Sequence, residues 1–403
     1  MKLHLIRQCL TLATLSLLSA TAAPVPAAQA GLASDCTKTS VGFTPLSDLA
    51  TGSYKGFQGG LYPGGQNVPP AAQLAAAMAR AAAMQPLGVD GSPNAGGKIV
   101  LLSVGMSNAT QEYQAFMGLA RADVQMSRRV LLVDGAQGGQ TASIVRDPAA
   151  NYWKVLDQRL QQAGSSPAQV QVIWLKEANA GPTDPFPGHA RTLQADLEAT
   201  VGVAHDRFPN LKLIYFSSRT YGGYATTTLN PEPYAYETGF AVKWLIEKQI
   251  QGDATLNFDP AKGPVRAPVL LWGPYLWADG MTPRSDGLVW QCDDFVASDG
   301  THPSDPAGRR KVGNLLLDFL KTNDTTKGWF LADPNVTPAP SSTHYPTATA
   351  HTPPPTTGTP TGMPGTPHPP TSTPTRMSYP THVPTRTPAD AHFWAYIPFL
   401  QNK

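Results

Sequence analysis

Between Val68 and Asn323 short apolar runs alternate with longer amphipathic ones, and this alternation constrains the fold more than any other feature of the chain. The runs "GKIVLLSVGMSN", "RRVLLVDGAQGGQTA", "AQVQVIWLKEAN", "LKLIYFSSRTYGG" and "APVLLWGPYLW" read as buried strands running into polar or glycine-rich loops. Helical patterns stand before and after them. These are "VPPAAQLAAAMARAAAMQPLG", with Pro70 near its start and Pro86 beyond its end, a stretch around 111–124, "NYWKVLDQRLQQAG", "HARTLQADLEATVGVAHDRFP", "YAYETGFAVKWLIEKQIQG" and "DPAGRRKVGNLLLDFLKTN". Strands this short and this apolar must be buried on both faces. The expected fold is therefore α/β, a parallel sheet with helices on either side. In such folds chemistry sits beyond the carboxyl ends of the strands, where each of these runs ends in a loop.

Both ends of the chain fall outside that pattern. Residues 1–30 carry Lys2 and Arg7, then an apolar run too short to span a bilayer, then Ala28-Gln29-Ala30. This is the layout of a secretory signal peptide cleaved after Ala30, and it predicts an exported protein. The signal holds two basic residues and no acidic one, so the formal net charge of +2 becomes 0 (+2 − 2) in the rest of the chain. A neutral chain without a basic run argues against nucleic acid and anionic membrane as partners. Residues 337–391 read as a Pro/Thr-rich linker or stalk. It holds 15 prolines, and only Arg376, Arg386 and Asp390 are charged, so it has nothing with which to build a core. The aromatic tag at 392–403 has two readings: surface attachment, or a short strand that docks elsewhere. The folded region is expected at 31–336, as a monomer. Cys36 and Cys292 remain after the signal; in an exported protein they read either as a disulfide or as two free thiols.

Within the folded region histidine is scarce: His189, His205 and His302. His189 stands at a helix entrance, and His205 late in a helix beside Asp206. His302 follows Asp299 in a glycine-containing loop, where a carboxylate can orient an imidazole as a general base. Ser107 directly follows the first strong strand. It reads equally as a nucleophile awaiting a base and as the cap of the next helix. Acyl chemistry also needs donors aimed at an oxyanion. Gly139 in "DGAQGGQTA" offers a backbone N–H and Asn179 in "WLKEANAGP" a side-chain amide, although each alone also reads as turn chemistry.

Taken in order, Ser107, Gly139, Asn179 and Asp299-Gly-Thr-His302-Pro303 fall at the carboxyl ends of successive or final strands, and in this the chain resembles the SGNH (GDSL-type) hydrolases. Gly105-Met106-Ser107-Asn108 is similar to that family's nucleophile block, with Met106 where Asp or Gln is usual. Gly138-Gly139-Gln140-Thr141 is similar to its oxyanion block, and Asp299 to Pro303 to its D-x-x-H-P block. The third block lacks its glycine and reads Leu-Lys-Glu-Ala-Asn. The resemblance covers about residues 98–321. It implies a flavodoxin-like three-layer α/β/α fold and ester hydrolysis without a metal or other cofactor. It further implies Ser107 as nucleophile, His302 as base, Asp299 as its orienting group, and Ser107 N–H, Gly139 N–H and the Asn179 amide as the oxyanion hole.

The competing readings differ in class. An α/β-hydrolase places several strands before its nucleophile, whereas Ser107 follows the first clear one. A metal enzyme finds no histidine or cysteine pair at ligand spacing. A carbohydrate-binding or adhesive module would use Tyr275, Trp277 and Trp290, which with Asn108 are also the candidate substrate-lining residues. Export and a stalk favour short acyl groups, such as O-acetyl, on a small-molecule or polysaccharide ester. A lipase or phospholipase activity would need an apolar acyl groove.

Overall fold

The computed structural model describes residues 33–332. The expected signal peptide, stalk and terminal tag lie outside the described residues. The apolar runs form one parallel sheet: β1 (Ile99–Gly105), β2 (Val130–Asp134), β3 (Val170–Lys176), β4 (Leu213–Phe216) and β5 (Val269–Trp272), in the order 2-1-3-4-5. This is the flavodoxin-like order, with its topological switch between β1 and β3. The longer helices are α1 (Ala71–Ala82), α2 (Ser107–Ala122), α3 (Asn151–Gln162), α4 (Gly188–Arg207), α5 (Tyr234–Ile250) and α6 (Ala307–Thr322).

Strands β1, β3, β4 and β5 are buried throughout, the edge strand β2 at three of its five positions, and successive side chains serve two different cores. Leu101, Trp174 and Tyr215 pack with Ala77 of α1, Tyr113 and Phe116 of α2, and Leu316 and Leu320 of α6. Leu102, Ile173 and Phe216 pack on the other side with Trp153 and Leu156 of α3, Leu197 of α4 and Phe240 of α5. The period of two along each strand thus separates two helical layers around one sheet. In α2 the buried Ala109, Tyr113, Phe116 and Ala120 recur at helical spacing, one stripe facing inward. Burial of a side chain such as Phe116 contributes roughly 1.5–3 kcal/mol. The α2–α6 contact is close at Gly313, where a Cβ would come within 2.9 Å of the Phe116 backbone nitrogen. Glycine there lets the two helices approach, and both border the candidate site.

Two features were not foreseen. Helix α2 starts at Ser107, four residues before the expected Gln111, because the chain turns directly from the strand into it at Gly105-Met106. Residues 33–66 contribute only short elements, among them a hairpin of Ser53–Tyr54 and Phe57–Gln58. This segment is fixed by tertiary hydrogen bonds rather than by a repeating pattern. The Asp279 carboxylate accepts from the Val41 and Gly42 amides at 2.7 and 3.0 Å, and Trp272 N–H donates to Tyr62 Oη at 3.0 Å. A disulfide joins Cys36 to Cys292, with Cα atoms 5.4 Å apart, and ties this segment to the stretch before Asp299. No described helix is long and apolar enough to cross a membrane.

Candidate active site

Ser107 is the first residue of α2, and the residue before it, Met106, has extended backbone and offers no side-chain cap. The first amides of a helix have no carbonyl partner within it. Among the described residues, the N–H groups of Ser107 and Asn108 find none elsewhere either; the first helical bond is Thr110 N–H to Met106 O at 3.0 Å. The positive end of the helix dipole adds to these two donors. The Ser107 hydroxyl does not cap the helix. Its Oγ lies 2.8 Å from His302 Nε2.

His302 sits in the loop between β5 and α6, and Asp299 builds that loop. One carboxylate oxygen, Oδ1, accepts the backbone N–H of Thr301 at 2.7 Å and of His302 at 2.9 Å. The other, Oδ2, faces His302 Nδ1 at 2.8 Å. Burial pushes the Asp299 carboxyl up, but the hydrogen bonds from the His302 ring and from the two amides outweigh it and hold the group below its usual range. An ionised Asp299 accepts the proton on Nδ1, which leaves Nε2 as the acceptor facing Ser107. Both side chains are about one-fifth exposed, so the pair is reachable from solvent.

Two further contacts hold the loop in place. Asn108 Nδ2 donates to Thr301 O at 2.8 Å, and Thr226 N–H donates to Asp299 O at 3.2 Å. Asn108 is buried at 2 % exposure, which corrects the expectation that it lines a substrate cleft: it braces the loop.

The glycine-rich loop after β2 lies beside Ser107. A Cβ on Gly138 would stand 3.8 Å from the Ser107 Cβ, and Gln137 N–H ties the loop to Gly105 O at 2.8 Å. Gly139 has φ +74°, a conformation glycine adopts without cost, and its N–H has no partner among the described residues.

Asn179 lies past the end of β3, and no described contact joins it to Ser107 or His302. Its Oδ1 accepts Ser143 N–H at 2.9 Å, in the first turn of a short helix at Ala142–Val145. Its Nδ2 donates to Asp196 at 2.6 Å. One amide hydrogen remains.

Tyr275, Trp277 and Trp290 do not line a cleft, which corrects that expectation. They are 5 %, 0 % and 0 % exposed, and their polar atoms are satisfied inside the protein. Trp277 Nε1 donates to Glu232 at 2.7 Å, Trp290 Nε1 to Leu276 O at 2.8 Å, and Tyr275 Oη accepts Leu46 N–H at 3.2 Å. Each ring is more useful to the core than to water once its one polar atom is paired.

A buried charged layer beneath the site went unread in the sequence. Lys176 and Glu112 form a pair at 2.5 Å with side chains 2 % and 0 % exposed. Burial pushes the Lys176 ammonium down to about 8 against the opposing pull of Glu112. Burial pushes the Glu177 carboxyl well above its usual range, and its Oε1 has no hydrogen-bond partner among the described residues. Burial likewise lowers the Arg219 guanidinium, against the carboxylates of Glu112, Glu232, Asp299 and Glu177. The available signal was a charged residue directly after an apolar strand, as in "VIWLKE" and "IYFSSR".

No protein-family model matches the chain, and no curated protein matches it. Several solved structures are similar to part of it. The YxiM protein of Bacillus subtilis is 11 % identical over 57 % of this chain and 58 % of its own, with a TM-score of 0.31, so the chain spans little more than half of that protein's length. The periplasmic domain of a lipopolysaccharide acetyltransferase from Salmonella ser. Paratyphi A is 12 % identical over 55 % of this chain and 83 % of its own, with a TM-score of 0.31. The salicylyl-acyltransferase SsfX3 from a tetracycline biosynthetic pathway is 14 % identical over 58 % of each chain, again at 0.31. Likenesses this remote carry no functional argument, and the site rests on its own geometry.

Proposed function

We propose that the protein is an exported serine esterase of the SGNH type that cleaves short acyl groups, such as O-acetyl, from carbohydrate. The observation that carries this reading is the relay from Ser107 Oγ to His302 Nε2 at 2.8 Å and from His302 Nδ1 to Asp299 Oδ2 at 2.8 Å, set at the amino end of a helix with unpaired amides. A binding module has no use for that arrangement. The lipase reading has less support, because the crevice beside Asn179 is lined mostly by polar side chains.

In the proposed reaction Ser107 Oγ attacks the ester carbonyl while His302 Nε2 takes its proton. The oxyanion is held by the Ser107 and Gly139 N–H groups, with the remaining Asn179 amide hydrogen as a third donor. Each such donor is worth about 10²–10³ in rate. Collapse breaks the ester C–O bond, and His302 returns the proton to the departing alkoxide. Water, deprotonated by His302, then attacks the acyl-enzyme; the acid leaves and Ser107 is restored. Asp299 keeps the imidazole in the required tautomer and stabilises its cation throughout. No step calls for a cofactor.

The test is hydrolysis of p-nitrophenyl acetate by wild type and by Ser107→Ala, with a fluorophosphonate label located by mass spectrometry. The proposal expects turnover and a label on Ser107 in wild type, and neither in the variant. A wild-type protein inert on short acyl esters and on acetylated polysaccharide would refute it. Product analysis with added alcohols tells hydrolysis from transfer.

A further inference from the structure

A cavity of about 170 Å³ opens beyond the carboxyl end of β3, where that strand meets the starts of α4 and α5. Asn179, Thr183, Asp184, His189, Asn230 and Thr238 supply most of its polar lining. It lies off the end of the strand next to the one that leads into the nucleophile. Gly105, two residues before Ser107, pairs in register with Lys176, three residues before Asn179, and neighbouring strands are about 4.8 Å apart.

The lining is rich in acceptors. His189 is 8 % exposed, and its Nε2 lies 2.5 Å from Glu237 Oε2. Burial pushes the Glu237 carboxyl up, but hydrogen bonds from His189, Lys55 and Tyr54 outweigh it and hold it below its usual range. Glu237 thus engages Nε2, which leaves Nδ1 as the ring's remaining hydrogen-bonding atom. That nitrogen has no partner among the described residues. Asn230 is 4 % exposed; its Nδ2 is spent on Asn179 O at 2.6 Å, and its Oδ1 likewise has no partner among them. The Asp184 carboxylate stands at the mouth as a further acceptor, and no lysine or arginine is among the described lining residues. The Asp184 carboxylate, with no lysine or arginine among these residues, repels carboxylate and phosphate, while the Asn230 oxygen accepts from O–H groups. The volume lies below the roughly 300–1,000 Å³ of sites for drug-sized ligands, which leaves room for a single ring.

We infer that this cavity binds one neutral polyhydroxylated unit, a pyranose ring or similar polyol, with one hydroxyl pairing with His189 Nδ1 and another donating to Asn230 Oδ1. The inference rests on the esterase reading for its role as the subsite of the alcohol portion of the substrate. Binding itself does not depend on catalysis.

The experiment is saturation-transfer NMR on Ser107→Ala protein with methyl β-D-xylopyranoside, methyl α-D-glucopyranoside and inorganic phosphate as probes. At least one glycoside should bind, and phosphate should not. Affinity should fall by about tenfold or more in His189→Phe, which removes the Nδ1 hydrogen-bonding atom, and in Thr183→Trp, which fills the exposed mouth without touching the core. Thermal melting checks that both variants fold. Absence of glycoside binding, phosphate binding that Thr183→Trp abolishes, or glycoside affinities within twofold of the parent in both variants would overturn the inference. Ester turnover without glycoside binding sinks this subsite alone, and glycoside binding without any ester turnover sinks the esterase reading alone.

Discussion

Replacing Asp299 by Asn tests the relay at the point where geometry leaves least freedom. Oδ1 of Asp299 accepts two backbone amides, from Thr301 and His302. An asparagine must keep its oxygen there, since the flipped rotamer would aim an NH₂ group at two N–H donors. Its Nδ2 then faces His302 Nδ1, donor against donor. The imidazole escapes by moving its proton to Nε2, where it faces Ser107 and can no longer accept. A base locked in the wrong tautomer costs of order 10⁴ in kcat, or about 5.4 kcal/mol of barrier (4 × 1.36). The fold should suffer far less, because the two amide bonds survive in neutral form and the imidazole stays in place, about 1–3 kcal/mol in all. The assay is kcat on p-nitrophenyl acetate alongside a thermal melt, for Asp299→Asn and for Asp299→Glu as a carboxylate control. A loss below about tenfold in kcat with the melt intact would refute the reasoning, since the relay would then not depend on this carboxylate.

Other expectations follow from the same structure. Gly139→Ala meets no atom within 4 Å, so its cost is the left-handed backbone, about 1–2 kcal/mol; Gly164→Ala (φ +70°, also open) should match it in the melt, but only Gly139→Ala should cost about tenfold or more in kcat. Glu177 has its folded pKa raised, so the stability it permits is full below the unfolded carboxyl value and is lost as pH rises toward the folded one. Denaturant melts from pH 4 to 8 should therefore show a decline of up to about 1.4 kcal/mol per pH unit that Glu177→Gln flattens; equal slopes would contradict it. The Cys36–Cys292 bridge spans 256 positions, and Cys36→Ser with Cys292→Ser should lose about 5.5 kcal/mol by the chain-entropy account, read by urea unfolding.

The layer architecture was legible because it is written locally. A run such as "KIVLLSVG" has too few polar atoms for any site but the middle of a sheet, and "NYWKVLDQRLQQAG" repeats at helical spacing with one apolar stripe. The spacing of Asp299 and His302 is local too, since a carboxylate three residues back can cap the turn and reach the ring in the same stroke. The aromatic stretch from Trp272 to Trp290 misled because an indole facing a glycan and one facing a core share the same letters. What separates them is a partner for the N–H: Glu232, outside the stretch, for Trp277, and Leu276 O, brought round within it, for Trp290.

By itself, then, the sequence determined the periodicities, the strand ends where chemistry could collect, and the Asp299–His302 turn. Only tertiary structure decided that Ser107 and His302, 195 positions apart, share a hydrogen bond, through the close seat of α6 on α2 at Gly313. It also decided that Asn179 gives one amide hydrogen to Asp196, and that Glu177 and Arg219 are buried beneath the site while His189 and Asn230 line a cavity. The physical reason is the same in each case. Hydrophobic pattern acts over a few residues, whereas a polar atom's role depends on which distant partner folding brings within 3 Å of it, or withholds.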